Sequence, residues 1–294
     1  MSIAILRKII LSLVFLHALS FLPVSAQQPK SLFDKKPLFI NVLETRLVQH
    51  GLTLDKFCPQ DNIFTRRILV EYGAAFVGRG KLARACYLKD EETVVETQNQ
   101  FGFSSQTLGS VKIELQPEAM KALLKAVAEA KRQRLSITPR GGAAAARRSF
   151  EKTVEFWESR VEPGLDYWVQ QNKLKPKQAD KIRKLPIFEQ IVAVLELEEK
   201  KIWFSTQFDK SILQSVAAPG ASQHNLMLAL DVAQFDDVRV RRILAKHGWF
   251  QTVASDKPHF TYLGVDESDL PKLGLHSVQI ENQIFWVPRL SSVQ

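Results

Sequence analysis

The first 26 residues have the pattern of an export signal, so we expect the folded protein to consist of the residues that follow them. A short basic start is followed by an apolar run over residues 9–22, which Pro23 ends. Small residues then lead up to Ala26, as they do where a signal peptidase cuts. We therefore expect cleavage after Ala26 and an exported protein, either periplasmic or extracellular.

An uncleaved membrane anchor is the alternative for this segment. A transmembrane helix needs about 18–20 consecutive apolar residues, and the run over residues 9–22 is shorter than that. No cysteine follows the run directly, so the sequence does not favour a lipid anchor. We expect no stable membrane span after signal cleavage.

Composition places the rest of the chain among ordinary globular proteins. Of its 294 residues, 45% are hydrophobic and 24% are charged, which excludes collagen-like, coiled-coil and wholly disordered proteins. The net charge is +9, but the basic residues are spread along the chain without a dense cluster. Since a nucleic-acid-binding surface needs concentrated basic residues, we expect no nucleic-acid partner.

The chain has two cysteines, Cys58 and Cys86. In an oxidising compartment they are expected to form one disulfide, and two buried thiols are the alternative. Closing this loop would stabilise the folded chain by about 3–4 kcal/mol. Two cysteines so far apart, without a paired Cys-x-x-Cys, do not make a structural zinc site.

The periodicity of apolar residues predicts an α+β protein. Strands are predicted at residues 111–115, 135–138, 228–232, 250–253 and 259–263, with a closing hairpin over 278–287. Helices are predicted from Pro117 to about residue 130, over 149–173 with an interruption near Pro163, over 177–200 with a kink at Pro186, and over 237–247.

The same pattern divides the chain into three parts. Residues 1–26 are the signal peptide, residues 27–105 an N-terminal accessory segment, and residues 106–294 the main domain. Within the accessory segment, we predict a lead-in over residues 27–65 and a small α/β segment over residues 66–103.

Two histidines have neighbours that suit metal chemistry. His224 follows a Pro-Gly turn, and Asp231 lies on or beside the next strand. His259 begins a later strand, three residues after Asp256. A catalytic zinc ion takes three such ligands and leaves a fourth position open. His224, Asp231 and His259 therefore form a candidate site for one Zn²⁺ per chain, although histidines near strand ends often serve only as surface or hydrogen-bonding groups.

These residues also carry a family resemblance. The run Ser222-x-His224 followed by Asp231, and then Asp256-x-x-His259, resembles the D-Ala-D-Ala carboxypeptidase family of zinc peptidases, which shares a superfamily with lysostaphin-type endopeptidases and the hedgehog signalling domain. The family pattern reads Ser-x-His-x-x-Gly-x-Ala-x-Asp and then Glu-x-x-His. The resemblance implies a small antiparallel sheet that carries the zinc site and is flanked by helices. It also implies Asp256 as the general base and then acid.

A third motif of that family is Tyr-Arg-Ser-Tyr/Phe-x-x-Gln, whose arginine faces the substrate. The run that begins at Arg148 resembles it, with Thr153 in place of the glutamine. The resemblance implies that Arg148 holds the substrate or polarises its carbonyl, with Arg140 and Arg147 as rivals and a solvated surface arginine as the alternative. Ser222 is assigned to substrate binding with Arg148 and Arg140.

The chain departs from the family pattern at three points. Met227 stands in place of the glycine, Asp256 in place of the glutamate, and Lys257-Pro258 in place of Pro-Trp. An aspartate is one methylene shorter, so its carboxylate reaches about 1.5 Å less far.

Together with the export signal, the resemblance implies an exported zinc-dependent peptidase that cleaves D-Ala-D-Ala or related bonds in peptidoglycan stem peptides. The alternative is a catalytically impaired zinc-binding protein on the same fold, which serves as a cell-wall-binding or scaffold protein. An ordinary exported α/β domain with coincidental motifs is a third interpretation. Carboxypeptidase and endopeptidase specificity both remain open.

Overall fold

The structure is a computed structural model that describes residues 36–290. The predicted signal peptide and its cleavage site at Ala26 lie outside the described residues. Within residues 36–290, no helix combines the length and the apolar character that crossing a bilayer requires.

Helices and small antiparallel sheets alternate along the chain. The helices are α1 (Leu38–Gln49), α2 (Leu54–Phe57), α3 (Ile63–Tyr72), α4 (Ala74–Val77), α5 (Glu91–Phe101), α6 (Pro117–Arg132), α7 (Phe150–Gln170), α8 (Pro176–Arg183), α9 (Ile187–Glu198) and α10 (Val238–Lys246). The strands are β1 (Ser104–Leu108), β2 (Val111–Leu115), β3 (Ala229–Asp231), β4 (Trp249–Phe250), β5 (His259–Tyr262), β6 (Leu275–Ile280) and β7 (Gln283–Pro288). This arrangement confirms the predicted α+β class.

The central sheet has the strand order β3-β5-β4, and both pairings are antiparallel. In its register Asp231 lies opposite His259, and Ala229 lies opposite Thr261. Beyond β3, a single bridge joins Pro139 to Val232. Two further hairpins, β1-β2 and β6-β7, are separate sheets, and the predicted closing hairpin is thereby confirmed.

The N-terminal part of the described chain contributes to the hydrophobic core. Phe39, Leu43 and Leu47 recur at a spacing of four on α1 and are fully buried. The prediction of an α/β segment over residues 66–103 is wrong, because α3, α4 and α5 occupy it and the first described strand begins at Ser104. Short apolar clusters such as those over 66–103 fit a strand and a helix equally well, so periodicity alone does not separate them.

Two predicted helix interruptions differ from the structure. Helix α7 continues through Pro163, so the prediction of an interruption there is wrong. The Ser159 carbonyl, which cannot bond to a proline nitrogen, accepts from the Arg160 guanidinium instead. At Pro186, by contrast, the predicted kink is a complete break between α8 and α9.

The predicted strand over residues 135–138 is also wrong. Residues 135–138 are not part of a strand, and the isolated bridge of Pro139 to Val232 follows them. Pro139 has no N–H to donate to a ladder, and the amide of Thr138 donates to the Gln234 side chain instead of to a strand. The segment therefore does not become a regular strand.

Cys58 and Cys86 form the predicted disulfide, and both are buried. The bridge joins the end of α2 to the loop that precedes α5. In that loop the Leu88 amide donates to the Gly220 carbonyl at 2.9 Å. Gly220 has φ +76°, and a Cβ there would lie 1.9 Å from the Leu88 oxygen, so only glycine fits this contact.

Candidate metal centre

The three predicted ligands converge in the structure. Nε2 of His224 lies 3.2 Å from Nδ1 of His259. Oδ1 of Asp231 lies 3.4 Å from each of these nitrogens. Both histidines are buried, and Asp231 is partly exposed. The sheet register supplies Asp231 and His259 as opposite residues, and the turn before β3 supplies His224.

The spacing of the three atoms fits a tetrahedral zinc ion. Zinc binds imidazole nitrogen and carboxylate oxygen at about 2.0–2.2 Å. Ligand atoms at about 2.0–2.1 Å in a tetrahedron lie about 3.3–3.4 Å from one another. The observed distances of 3.2, 3.4 and 3.4 Å therefore match three corners of such a site. Two imidazoles and one carboxylate are also a donor set that zinc takes.

Hydrogen bonds on the far side of each ring set the tautomers. Nδ1–H of His224 donates to the Ala146 carbonyl at 2.8 Å, and Nε2–H of His259 donates to Oε1 of Gln223 at 2.8 Å. The nitrogens that face Asp231 are then unprotonated. A backbone carbonyl in this position, as His224 has in Ala146, is one of the usual outer partners of a metal-binding histidine.

The ionisation states agree with a cation site. Burial and the nearby Arg148 charge, opposed by Asp231, together lower the pKa of His224 to about 4. Burial opposes ionisation of Asp231, yet His224, His259 and Arg148 hold the pKa of its carboxyl well below its usual range. At neutral pH one carboxylate and a neutral His224 face the same point, which suits a bound cation.

The turn that carries His224 has an unusual backbone. Oγ of Ser222 accepts from the His224 amide at 3.3 Å. Met227 has φ 56°, which is the left-handed region, and its side chain is fully buried. Left-handed backbone favours glycine. Met227 therefore occupies a backbone position in this turn to which a glycine is better suited.

Residues from the N-terminal part of the chain support this turn. The Gln223 amide donates to the Tyr72 carbonyl at 3.0 Å, which fixes the oxygen that His259 uses. Nε2 of Gln98 donates to the carbonyls of Arg148 and Asn225 at 2.9 and 3.1 Å. Sequence reasoning did not find Gln98 or Tyr72, because both act through contacts between distant parts of the chain. The only sequence signal for Gln223 is its position between Ser222 and His224, where the Ser-x-His motif allows any residue.

Arg148 contacts the carboxylate of the metal centre. Its Nη2 donates to Oδ2 of Asp231 at 2.5 Å, and its Nε donates to the Ala144 carbonyl at 2.7 Å. Its Cζ lies 4.9 Å from the centre of the Phe156 ring. Burial lowers the pKa of Arg148, while the charges of Asp231 and Asp256 oppose that shift.

The other predicted substrate-contacting residues have different surroundings. Arg147 donates to Glu114 and Gln98, at 2.7 and 2.6 Å. Arg140 is exposed, lies over the Phe235 ring, and its amide donates to the Asp231 carbonyl. The Ser222 side chain is buried. Substrate contact by Arg140, Arg148 and Ser222 stays a prediction.

Asp256 lies beside the cluster without belonging to it. Among the described residues, the ligand atoms of His224, Asp231 and His259 lie within 4.8 Å of one another, and Asp256 is not part of that group. Burial raises the pKa of Asp256 to about 6, with Asp231 adding to the shift and the charges of His259, Arg148 and Lys210 opposing it. A carboxylate with this pKa suits a general base near neutral pH.

The fold and the site define an α+β protein with a candidate His-Asp-His metal centre. No protein-family model and no curated protein matches the sequence. The solved structures that are similar include a mutant of the vancomycin resistance D,D-pentapeptidase VanY, from a VanB-type resistance cassette, in complex with Zn(II). That similarity has 17% identity and a TM-score of 0.33, and covers 57% of this chain and 82% of VanY.

Proposed function

We propose that the protein is an exported zinc-dependent peptidase. The observation that carries the proposal is the convergence of His224, Asp231 and His259, whose donor atoms are 3.2–3.4 Å apart. When bound, zinc supplies Lewis acidity toward a scissile carbonyl and toward water. The chain's own residues hold the three donors in place and provide a carboxylate beside them.

Asp256 is the proposed general base. Its side chain lies within electrostatic range of His259 and Asp231, and its raised pKa lets it both accept and return a proton. In this role it takes the proton of the attacking water and delivers it to the leaving amine. A non-ligating carboxylate next to a metal centre is the group that peptide hydrolysis needs.

The proposed substrates are peptidoglycan stem peptides, cleaved at D-Ala-D-Ala or related bonds. The support is the motif resemblance, which includes the ligand spacing and the acid three residues before His259. Arg140 supports it too, because this exposed residue follows the bridge beside Asp231, and its guanidinium, which lies over the Phe235 ring, suits an anionic substrate group.

Metal analysis and digestion of the same sample test the proposal. The purified mature protein is assayed for zinc and incubated with defined muropeptides, with and without a chelator. We expect one zinc per chain and release of D-alanine that the chelator stops. Asp256→Asn should keep the metal and lose turnover, while the exposed Asp266→Asn should change neither. Zinc without cleavage would favour the wall-binding alternative, and absence of zinc would contradict the proposal.

A further inference from the structure

We infer that Arg148 is a positioning residue that fixes how Asp231 presents its carboxylate to the metal centre; the inference rests on the proposed zinc site. Oδ1 of Asp231 lies 3.4 Å from the donor nitrogens of both histidines, whereas Oδ2 accepts from Nη2 of Arg148. The two oxygens therefore have separate partners. One oxygen is directed to the cation, and the other is held by the guanidinium.

The guanidinium itself is held at three points. Its Nε donates to the Ala144 carbonyl at 2.7 Å, its face lies over the Phe156 ring, and its Nη2 bonds to Asp231. Only 15% of the Arg148 side chain is exposed. A planar guanidinium that is held by three contacts is fixed in one orientation. The orientation of the Asp231 carboxylate follows from it.

The backbone of Arg148 is fixed to the turn that carries the first histidine. Its amide donates to the His224 carbonyl at 3.3 Å, and its own carbonyl accepts from Gln98 and Asn225. Ala146, two residues earlier, accepts from Nδ1 of His224. One short segment, residues 144–148, thus orients two of the three ligands. A residue that only met the substrate would not need these contacts.

Loss of an outer partner of a metal ligand typically lowers metal affinity about 10–100-fold. We expect that effect for Arg148→Gln, since Oδ2 of Asp231 loses its donor. Arg148→Lys keeps the charge but lacks the planar fork that directs Nε to Ala144 and Nη2 to Asp231. We therefore expect Arg148→Lys not to restore wild-type affinity, whereas a purely electrostatic role would let it do so.

The experiment measures zinc affinity of the mature protein by competition with a chelator, and records the visible absorption of the cobalt(II)-substituted protein. Arg148→Gln should weaken zinc binding about 10–100-fold and change the cobalt spectrum. Arg183→Gln is the matched control, because the Arg183 guanidinium bonds to Glu162, Asp180 and Asp166 rather than to a candidate ligand or one of its supports. That variant should leave both readouts unchanged.

An Arg148→Gln protein with wild-type zinc affinity and a wild-type cobalt spectrum would overturn the inference. If that variant does not fold, Phe156→Leu provides the test, because it keeps Arg148 and removes one of the three contacts that hold its guanidinium. We expect a smaller fall in affinity with an altered cobalt spectrum, and an unaltered spectrum would overturn the inference. A wild-type chain that binds no zinc would overturn the proposed function as well.

Discussion

Asp231 and His259 lie directly opposite each other on neighbouring antiparallel strands, and their facing atoms are 3.4 Å apart. Opposite residues of an antiparallel pair project from the same face of the sheet, with Cβ atoms about 4.5–5.5 Å apart. The pairing of β3 with β5 therefore brings two candidate metal ligands together through the fold of the chain itself. A slip of one residue would place one of the two ligands on the other face.

Removal of either histidine should abolish zinc binding at this site. Because loss of an outer partner already costs about 10–100-fold in affinity, we expect His224→Ala and His259→Ala to lose more than about 100-fold. Chelator competition measures the effect. His247→Ala is the control, since His247 pairs with Glu129 and is not part of the cluster. Undiminished zinc content in either ligand variant would contradict the assignment.

The pH dependence of activity should report the ionisation of Asp256. Its pKa is raised to about 6 by burial, and a general base acts only when ionised. As pH falls below the pKa, kcat/KM should therefore fall about tenfold per unit. A nearby divalent cation favours the charged form, so the midpoint lies at pH 6 or below.

Measuring zinc content at each pH separates protonation of Asp256 from loss of metal. We expect the decline in kcat/KM to begin while the protein still holds its zinc, because burial keeps the pKa of His224 near 4. A profile that stays flat from pH 7 to pH 4 with zinc bound would exclude Asp256 as the base.

Substitutions at Met227 should separate backbone strain from side-chain burial. Removal of a buried methionine side chain costs about 2–5 kcal/mol, whereas a left-handed backbone costs a non-glycine residue about 1–2 kcal/mol. Both Met227→Ala and Met227→Gly should be less stable than wild type. Met227→Gly should nevertheless be more stable than Met227→Ala by about 1 kcal/mol, as measured by urea unfolding. The reverse order would show that the turn does not favour glycine.

The disulfide should contribute to the stability of the whole chain. We expect the double variant Cys58→Ser, Cys86→Ser to lose about 3–4 kcal/mol of unfolding free energy. Wild-type protein under mild reductant is the control. Both cysteines are at most 3% exposed, so the native bridge should persist until the chain unfolds. Equal stability of the variant and the oxidised wild type would contradict this expectation.

The residues of the site that belong to short sequence motifs could be predicted from the sequence. Strand periodicity and motif spacing identified His224, Asp231 and His259, and the structure places them together. The cysteine count and the predicted compartment gave the disulfide, which the structure contains. In each case the type of residue points to its role: histidine and aspartate to metal binding, and two cysteines to a disulfide.

The supports of the site could not be predicted, because they are contacts between remote segments. Gln98 reaches Arg148 and Asn225 through an amide group that has no local signature. The bond of Arg148 to Asp231 likewise joins residues 83 positions apart. The strand predicted at residues 135–138 is wrong for a different reason. These residues fit the local apolar pattern of a strand, but Pro139 has no N–H to donate to a neighbouring strand.

The bridge beside β3 also limits how a peptide can approach the centre. Many proteins bind an extended peptide by adding it as a further strand to an open sheet edge. Here the edge of β3 at Asp231 is already used, because the Arg140 amide donates to the Asp231 carbonyl and the Ala233 amide donates to the Thr138 carbonyl. A peptide substrate of the proposed enzyme would therefore reach Asp231 over the face of the sheet, where side chains rather than a backbone ladder would select it.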